Sequence, residues 1–210
     1  MKVFASMPRL KSLKGGNKEL YVISIATDLR GVDETFDRTV SANNQPLDRI
    51  VPANADNALL KYYLMSVSNV FERIRPGNPV QMIGDGIILY PELDPKGLLG
   101  LDIFVVESDS GHRSAGKFLD GLLKDKSVKN GVNELVKAGA KATTGLIGEV
   151  ANTVVSLIPA ILRNNRDDLL LNVAYSGRAS RNYSLEKGQT KTVTKMNRLI
   201  ECDIAFDLVP

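Results

Sequence analysis

The stretch ELYVISIAT, residues 19–27, decides the fold. Tyr21, Ile23 and Ile25 alternate with Val22, Ser24 and Ala26 in a β-branched and aromatic run, which predicts a strand that ends at Asp28. LGLDIFVVES, Leu99 to Ser108, is a second strand, because Ile103, Phe104, Val105 and Val106 form a short buried-type block bounded by glycine and serine. DLLLNVAYS, Asp168 to Ser176, alternates in the same way, and the segment from Leu199 to Val209 sets Ile200, Cys202 and Ile204 against Glu201 and Asp203, as a half-exposed strand does. Leu59 to Ile74 fits either period, but its Ser-Val-Ser-Asn-Val-Phe core is poor in helix formers and favours a strand. Pro76-Gly77-Asn78-Pro79 then reads as a turn. Val80 to Tyr90 follows as a strand, bulged or turned at Gly84-Asp85-Gly86 and closed by Pro91, Pro95 and Gly97.

One block breaks this pattern. SAGKFLDGLLK, Ser114 to Lys124, places Phe118 and Leu122 on one helical face, and Val132 to Leu162 keeps helical spacing, with a break near Thr143 and Thr144 and an end at Asn164-Asn165. In the longer segment Leu146, Val150, Val154, Leu157 and Ile161 make an apolar stripe. Gly145, Gly148, Asn152 and Ser156 lie opposite it, small enough to admit a close neighbour, so the helix is expected to pack between two surfaces. Glu149 and Pro159 interrupt the only apolar run that approaches the ~20 residues of a membrane span. Strands flanking one helical block give a mainly β fold, an antiparallel β-sandwich in a single domain of residues 1–210 with helices inserted between about 112 and 165, because each sheet needs a second apolar face to cover it. An α+β sheet with helices on one face is the main alternative, and a parallel α/β fold does not fit, since strands and helices do not alternate.

Composition narrows the classes of activity. With 210 residues and 43% hydrophobic content the chain can bury a sizeable core unaided, and a formal net charge of +3 does not call for a nucleic-acid partner. The basic run of Arg178, Arg181, Lys187, Lys191, Lys195 and Arg198 lacks the aromatic interleaving of a single-strand binder and reads as a solvated, partly edge-protecting loop. The lone Cys202 excludes an internal disulfide and reads as a small buried strand residue. The first sixteen residues, MKVFASMPRLKSLKGG, carry four cations and no apolar core of signal-peptide length, so the expected compartment is the cytoplasm, or the exterior by a non-Sec route.

Chemistry-bearing residues are sparse. His112 is the only histidine and sits among Ser108, Asp109, Ser110 and Ser114, which invites a hydrolase reading with imidazole as base, but no G-x-S-x-G elbow accompanies it. Ser110 or Ser114 as a helix N-cap is the plainer reading. One Cys and one His cannot build a zinc site. Gly84-Asp85-Gly86 and Gly15-Gly16 lack the rest of a dinucleotide or phosphate loop. Glu107 and Asp109 lie two apart at a strand end and project the same way, and an approach of the acidic loop holding Asp28, Asp33, Glu34 and Asp37 would supply the converging oxygens that calcium needs.

ELYVISIATDLRGVDETFD followed much later by LDIFVVESDSG resembles the strand-then-acidic-loop pattern of C2 domains, over about a fifth of the chain. The resemblance implies an antiparallel β-sandwich, binding to calcium and phospholipid, and metal ligation by Asp28 and Asp33 in one loop and Glu107 and Asp109 in another. The chain differs in having Glu107 where the family usually has Asp, and in its helical insertion. The resulting reading is a non-enzymatic interaction module that binds a protein partner, itself or a membrane surface, with no required cofactor and with calcium as an assisting ion. Two alternatives are a hydrolase using loop carboxylates or His112, and a structural component of a phage-like or toxin-like assembly.

Overall fold

A computed structural model of the chain describes residues 1–28, 63–68, 70–108, 121, 124–127, 129–130, 144–164 and 167–210. Its strands are β1 (Lys2–Ser12), β2 (Lys18–Asp28), β3 (Tyr63–Val67), β4 (Phe71–Ile74), β5 (Ile87–Leu93), β6 (Leu98–Glu107), β7 (Asp168–Arg178), β8 (Lys191–Met196) and β9 (Ile200–Val209). They form two antiparallel sheets. The first runs β5-β1-β9-β8 and the second β3-β2-β6-β7, with β4 sharing the β3 edge of β2. The chain passes between sheets at β1–β2, β4–β5, β5–β6 and β7–β8, so that neither sheet closes without the other. The protein is an antiparallel β-sandwich carrying a helical insertion.

Period-two burial fills the space between the sheets. Val3, Ala5, Met7 and Leu10 of β1 and Ile200, Cys202, Ile204, Phe206 and Leu208 of β9 meet Leu20, Val22 and Ala26 of β2 and Leu99, Leu101, Ile103 and Val105 of β6. Phe206 stacks on Tyr175 of β7 with ring centroids 4.4 Å apart. Each such side chain contributes roughly 1.5–3 kcal/mol on full burial. Cys202 is fully buried, as the sequence indicates, and burial pushes its thiol up to about 11. Glu201 and Asp203, its neighbours on β9, point outward and hold Arg9 of β1 at 2.6 and 3.3 Å.

The central β2–β6 pair of the second sheet is buried on both faces. Tyr21, Ile23 and Ile25 of β2 and Phe104 and Val106 of β6 point away from the first sheet, yet each is 1% exposed or less. The helix α1 (Thr144–Asn164) packs against β2 and β7 and buries Val154, Ile158, Ile161 and Leu162. Two of these, Val154 and Ile161, belong to the stripe read from the sequence, while Leu157 is only half-buried. The described helix runs from Thr144 to Asn164; the expected break at Thr143 and the end at Asn165 lie at its borders, outside the described residues. Its opposite side differs from the expectation of a second packing surface: Glu149, Asn152, Ser156, Pro159 and Ala160 are exposed. Polar side chains there turn back onto the helix backbone, Thr153 Oγ1 donating to the Glu149 carbonyl at 2.9 Å and Ser156 Oγ to that of Thr153 at 2.8 Å. The close neighbour lies elsewhere. A Cβ on Gly121 would come within 2.9 Å of Ile161 Cγ2.

Two strands escape the sequence reading. β1 lies in the segment read from the sequence only for its charges and its lack of a signal-peptide core; Pro8 and Arg9 interrupt its alternation, and the structure absorbs them in a register shift between Ser6 and Arg9, after which Leu10 and Ser12 turn inward again. β8 lies within the basic segment read as a connection, and its exposed edge carries Lys191 and Lys195. Ahead of it, Ala179–Ser184 form a short 3-10 turn in which Asn182, Tyr183 and Ser184 all have positive φ. Tyr183 is nevertheless buried, its carbonyl accepting the Tyr175 hydroxyl and its own hydroxyl accepting the Gly97 N–H at 3.3 Å. Burial, with Tyr183 nearby, pushes the Tyr175 phenol up to about 12. The strand expected over Val80 to Tyr90 begins later, at Ile87, and continues through Pro91 to Leu93. Pro91 is tolerated because β5 is the edge strand of its sheet among the described residues, pairing there with β1 alone.

Gly86 is held at φ +82 where a Cβ would sit 2.2 Å from the Met7 carbonyl oxygen. Gly86→Ala should therefore lower the stability measured by chemical denaturation by more than about 1 kcal/mol. Burial raises the carboxyl pKa of Asp102, which sits between Ile25 and Ala174 on the outer face of the second sheet. An acid with a raised folded pKa holds more protons folded than unfolded, so stability falls as pH rises through that range. Asp102→Asn should raise the denaturation midpoint at neutral pH, and the gain should vanish below about pH 3.9, the ordinary aspartate value.

Candidate functional site

Of the acids expected to ligate calcium, the two that lie among the described residues, Asp28 and Glu107, do not meet. In the β2–β6 register Asp28 lies opposite Leu99 and Glu107 lies opposite Leu20, so the two stand at opposite ends of the strand pair. Eight residues of strand separate those ends, about 27 Å at ~3.4 Å per residue. The physical reason is the antiparallel pairing itself: both acids follow the C-terminal ends of their strands, and those ends point in opposite directions. Asp28 is also spent within the fold. It is 1% exposed and accepts the Tyr90 hydroxyl at 3.0 Å. Glu107 is paired with Lys18 at the other end. Asp33, Asp109 and His112 lie outside the described residues, among which no three His, Cys, Asp or Glu side chains gather.

The end of the sandwich opposite Asp28 has a different character. Here the β1–β2 turn, the β8–β9 turn and the connection after β4 come together. Leu13 N–H donates to the Leu199 carbonyl at 2.8 Å, and Gly77 N–H donates to the Ser12 carbonyl at 2.8 Å. Asn197 fixes the β8–β9 turn. Its Oδ1 accepts the N–H groups of Leu199 and Ile200 at 2.8 and 2.9 Å, and its Nδ2 donates 2.6 Å across to the Leu170 carbonyl of β7. The two sheets are thus tied to one another at the tip.

On this rigid frame stand side chains that a folded chain ordinarily buries. Met196 is 69% exposed and Leu199 is 38% exposed. Lys14, Lys195 and Arg198 belong to the same end, exposed and, among the described residues, without an ion pair. Apolar points accompanied by unpaired cations suit a surface that offers anionic groups above an apolar layer. Part of this was legible as the basic run ending at Arg198. Lys14 was not, because only the pairing of β1 with β9 brings residue 14 beside residue 199. The local signal for the apolar points is the pattern Lys195-Met196-Asn197-Arg198-Leu199, which puts two large apolar residues inside a turn.

The adjoining connection carries backbone strain. Arg75-Pro76-Gly77-Asn78 is a tight turn with Gly77 at φ +87 and Asn78 N–H donating to the Arg75 carbonyl at 3.2 Å. Just before it, β4 sets Phe71 opposite Leu20 and Ile74 opposite Lys18, three steps against two, and the extra residue is accommodated with Arg73 at φ +56. A non-glycine residue held in the left-handed region costs of order 1–3 kcal/mol.

No protein-family model matches the sequence, and no curated protein matches it. Among solved structures, the chain is similar over 99% of its length to a human GIVD cytosolic phospholipase A2 in complex with methyl gamma-linolenyl fluorophosphonate, at 9% identity and a TM-score of 0.39. The same phospholipase with that inhibitor and terbium chloride gives 8% identity and a TM-score of 0.39. The chain spans 17% of the length of those proteins.

Because Asp28 is a core group, removing its tyrosine partner should act on stability. Tyr90→Phe is expected to lower unfolding free energy by about 1–3 kcal/mol in a denaturant titration, the range for a lost buried hydrogen bond.

Proposed function

We propose that the protein is a non-enzymatic interaction module that docks on an anionic membrane surface through the end formed by Lys14, Lys195, Met196, Arg198 and Leu199. The observation that carries this reading is the exposure of Met196 and Leu199 on a pinned turn among unpaired cations. Three cations near an anionic leaflet contribute about 1 kcal/mol each. That sum falls short of the ~4.1 kcal/mol of a millimolar affinity, so burial of the Met196 and Leu199 side chains decides whether the protein stays bound. Rigidity assists, because a tip already fixed by Asn197 loses little freedom on docking. Among the described residues no helix is long and apolar enough to cross a membrane, and the reading requires none.

Docking at this end is favoured over strand addition at β8. Lysines at Lys191 and Lys195 lie along that edge, and such charges oppose edge-to-edge pairing.

Sedimentation with phosphatidylcholine vesicles containing phosphatidylserine tests the reading. Wild-type protein should bind, binding should weaken as salt rises, and Lys195→Glu with Arg198→Glu should remove most of it. Met196→Asp should lower affinity about tenfold or more while leaving the denaturation midpoint in place. Wild-type protein that stays in the supernatant at low salt would exclude this function.

A further inference from the structure

A groove of about 480 Å³ opens where the β4 edge of the second sheet meets the connection leading back to the first. Its wall combines Phe71, Ile74 and Val80 with Arg73, Arg75 and Asn78. Pro79 is bridged to Lys11, and Val80 N–H donates to the Leu10 carbonyl at 2.7 Å, so both sides of the groove are held by β-pairing. Glu72 also reaches it, which leaves two cations against one carboxylate. Neither arginine is ion-paired among the described residues.

Arg73 occupies the strained bulge position of β4. Glycine takes that conformation without steric cost, whereas a side chain with a Cβ does not. The sequence nevertheless places there a long cation that lines the groove. Strain of this kind, kept where a cheaper residue exists, points to a function for the side chain.

We propose that this groove is a binding site for a phosphate monoester, in which Arg73 and Arg75 share one dianionic phosphate and Phe71 and Val80 pack against the carbon skeleton beside it. A single guanidinium fork satisfies a carboxylate, while two forks suit a group with three terminal oxygens and two charges. The proposal deepens the docking reading and rests on it for the source of the ligand: the turn after Arg75 is bonded to Ser12, next to the docking tip, so a membrane phosphate headgroup would lie within reach.

The test uses the full chain with phosphatidylcholine vesicles containing either phosphatidic acid or, at matched surface charge, phosphatidylserine, and with glycerol 3-phosphate as the free source. Wild-type protein should prefer phosphatidic acid about tenfold, the effect of one charge-assisted hydrogen bond. Arg75→Gln and Arg73→Gly should each bring that ratio to about one. Arg73→Gly should at the same time raise the denaturation midpoint, since glycine relieves the bulge, which separates lost binding from lost folding. Equal wild-type affinity for the two vesicles overturns the phosphate site and leaves the docking reading intact. If neither vesicle is bound, docking fails; a rise in thermal midpoint with glycerol 3-phosphate that Arg75→Gln abolishes then supports the groove as a site for a soluble monoester, and no rise overturns it.

Discussion

Two-sided burial of the β2–β6 pair is the constraint on which the rest of the structure depends. One face of these strands closes the core against β1 and β9, and the other is buried as well, with α1 packed against it at β2. A strand with one wet face must alternate, but a strand with two dry faces cannot. This is why β2 is continuously buried from Leu20 to Asp28 and why β6 carries Ile103 to Val106 without a polar interruption. Polar groups in such a sheet need partners in place. Ser24 donates to the Leu89 carbonyl at 3.2 Å across the sandwich, and Tyr21 donates to Asp167 at 2.9 Å beneath the insertion. Each such bond contributes about 0.5–1.5 kcal/mol.

The same constraint explains what could be read in advance. ELYVISIAT and DIFVV are apolar enough to be recognised without knowledge of their neighbours, and the helical block announces itself by its change of period. β1 and β8 are different. The alternation of Val3, Ala5, Met7 and Leu10 is offset by one residue at Pro8, and only the partner strand shows that the offset is a bulge. β8 has a single half-buried residue, Val193, so its sequence records edge protection in place of core packing. Strands distant in sequence hold β1 in position, whereas β8 is held by the hairpin it forms with β9.

The site was legible in smaller part. Carboxylates clustered along the sequence suggested a metal centre, but strand direction carries Asp28 and Glu107 apart, and Asp28 serves the core. The docking tip and the groove have the opposite history. Their residues come from turns as distant as Lys14, Arg75 and Arg198, and none of these is unusual within its own segment. The proposed site is a product of topology: two crossings and the β8–β9 turn deliver cations to one end, and hydrogen bonds from Asn197 and Leu13 pin the turns there.

The pairing of Glu107 with Asp168 places both stems of the helical insertion on neighbouring strands, one strand spacing apart. A connection that starts and finishes at adjacent points can lengthen at small entropic cost, since each doubling of a flexible loop adds only about 0.6 kcal/mol. Growth from a tight turn to the present length is therefore cheap in chain entropy. It becomes favourable once the added residues bury apolar surface, as Val154, Ile158, Ile161 and Leu162 of α1 do. The β6–β7 junction is thus a point at which the chain can lengthen without any change in strand order.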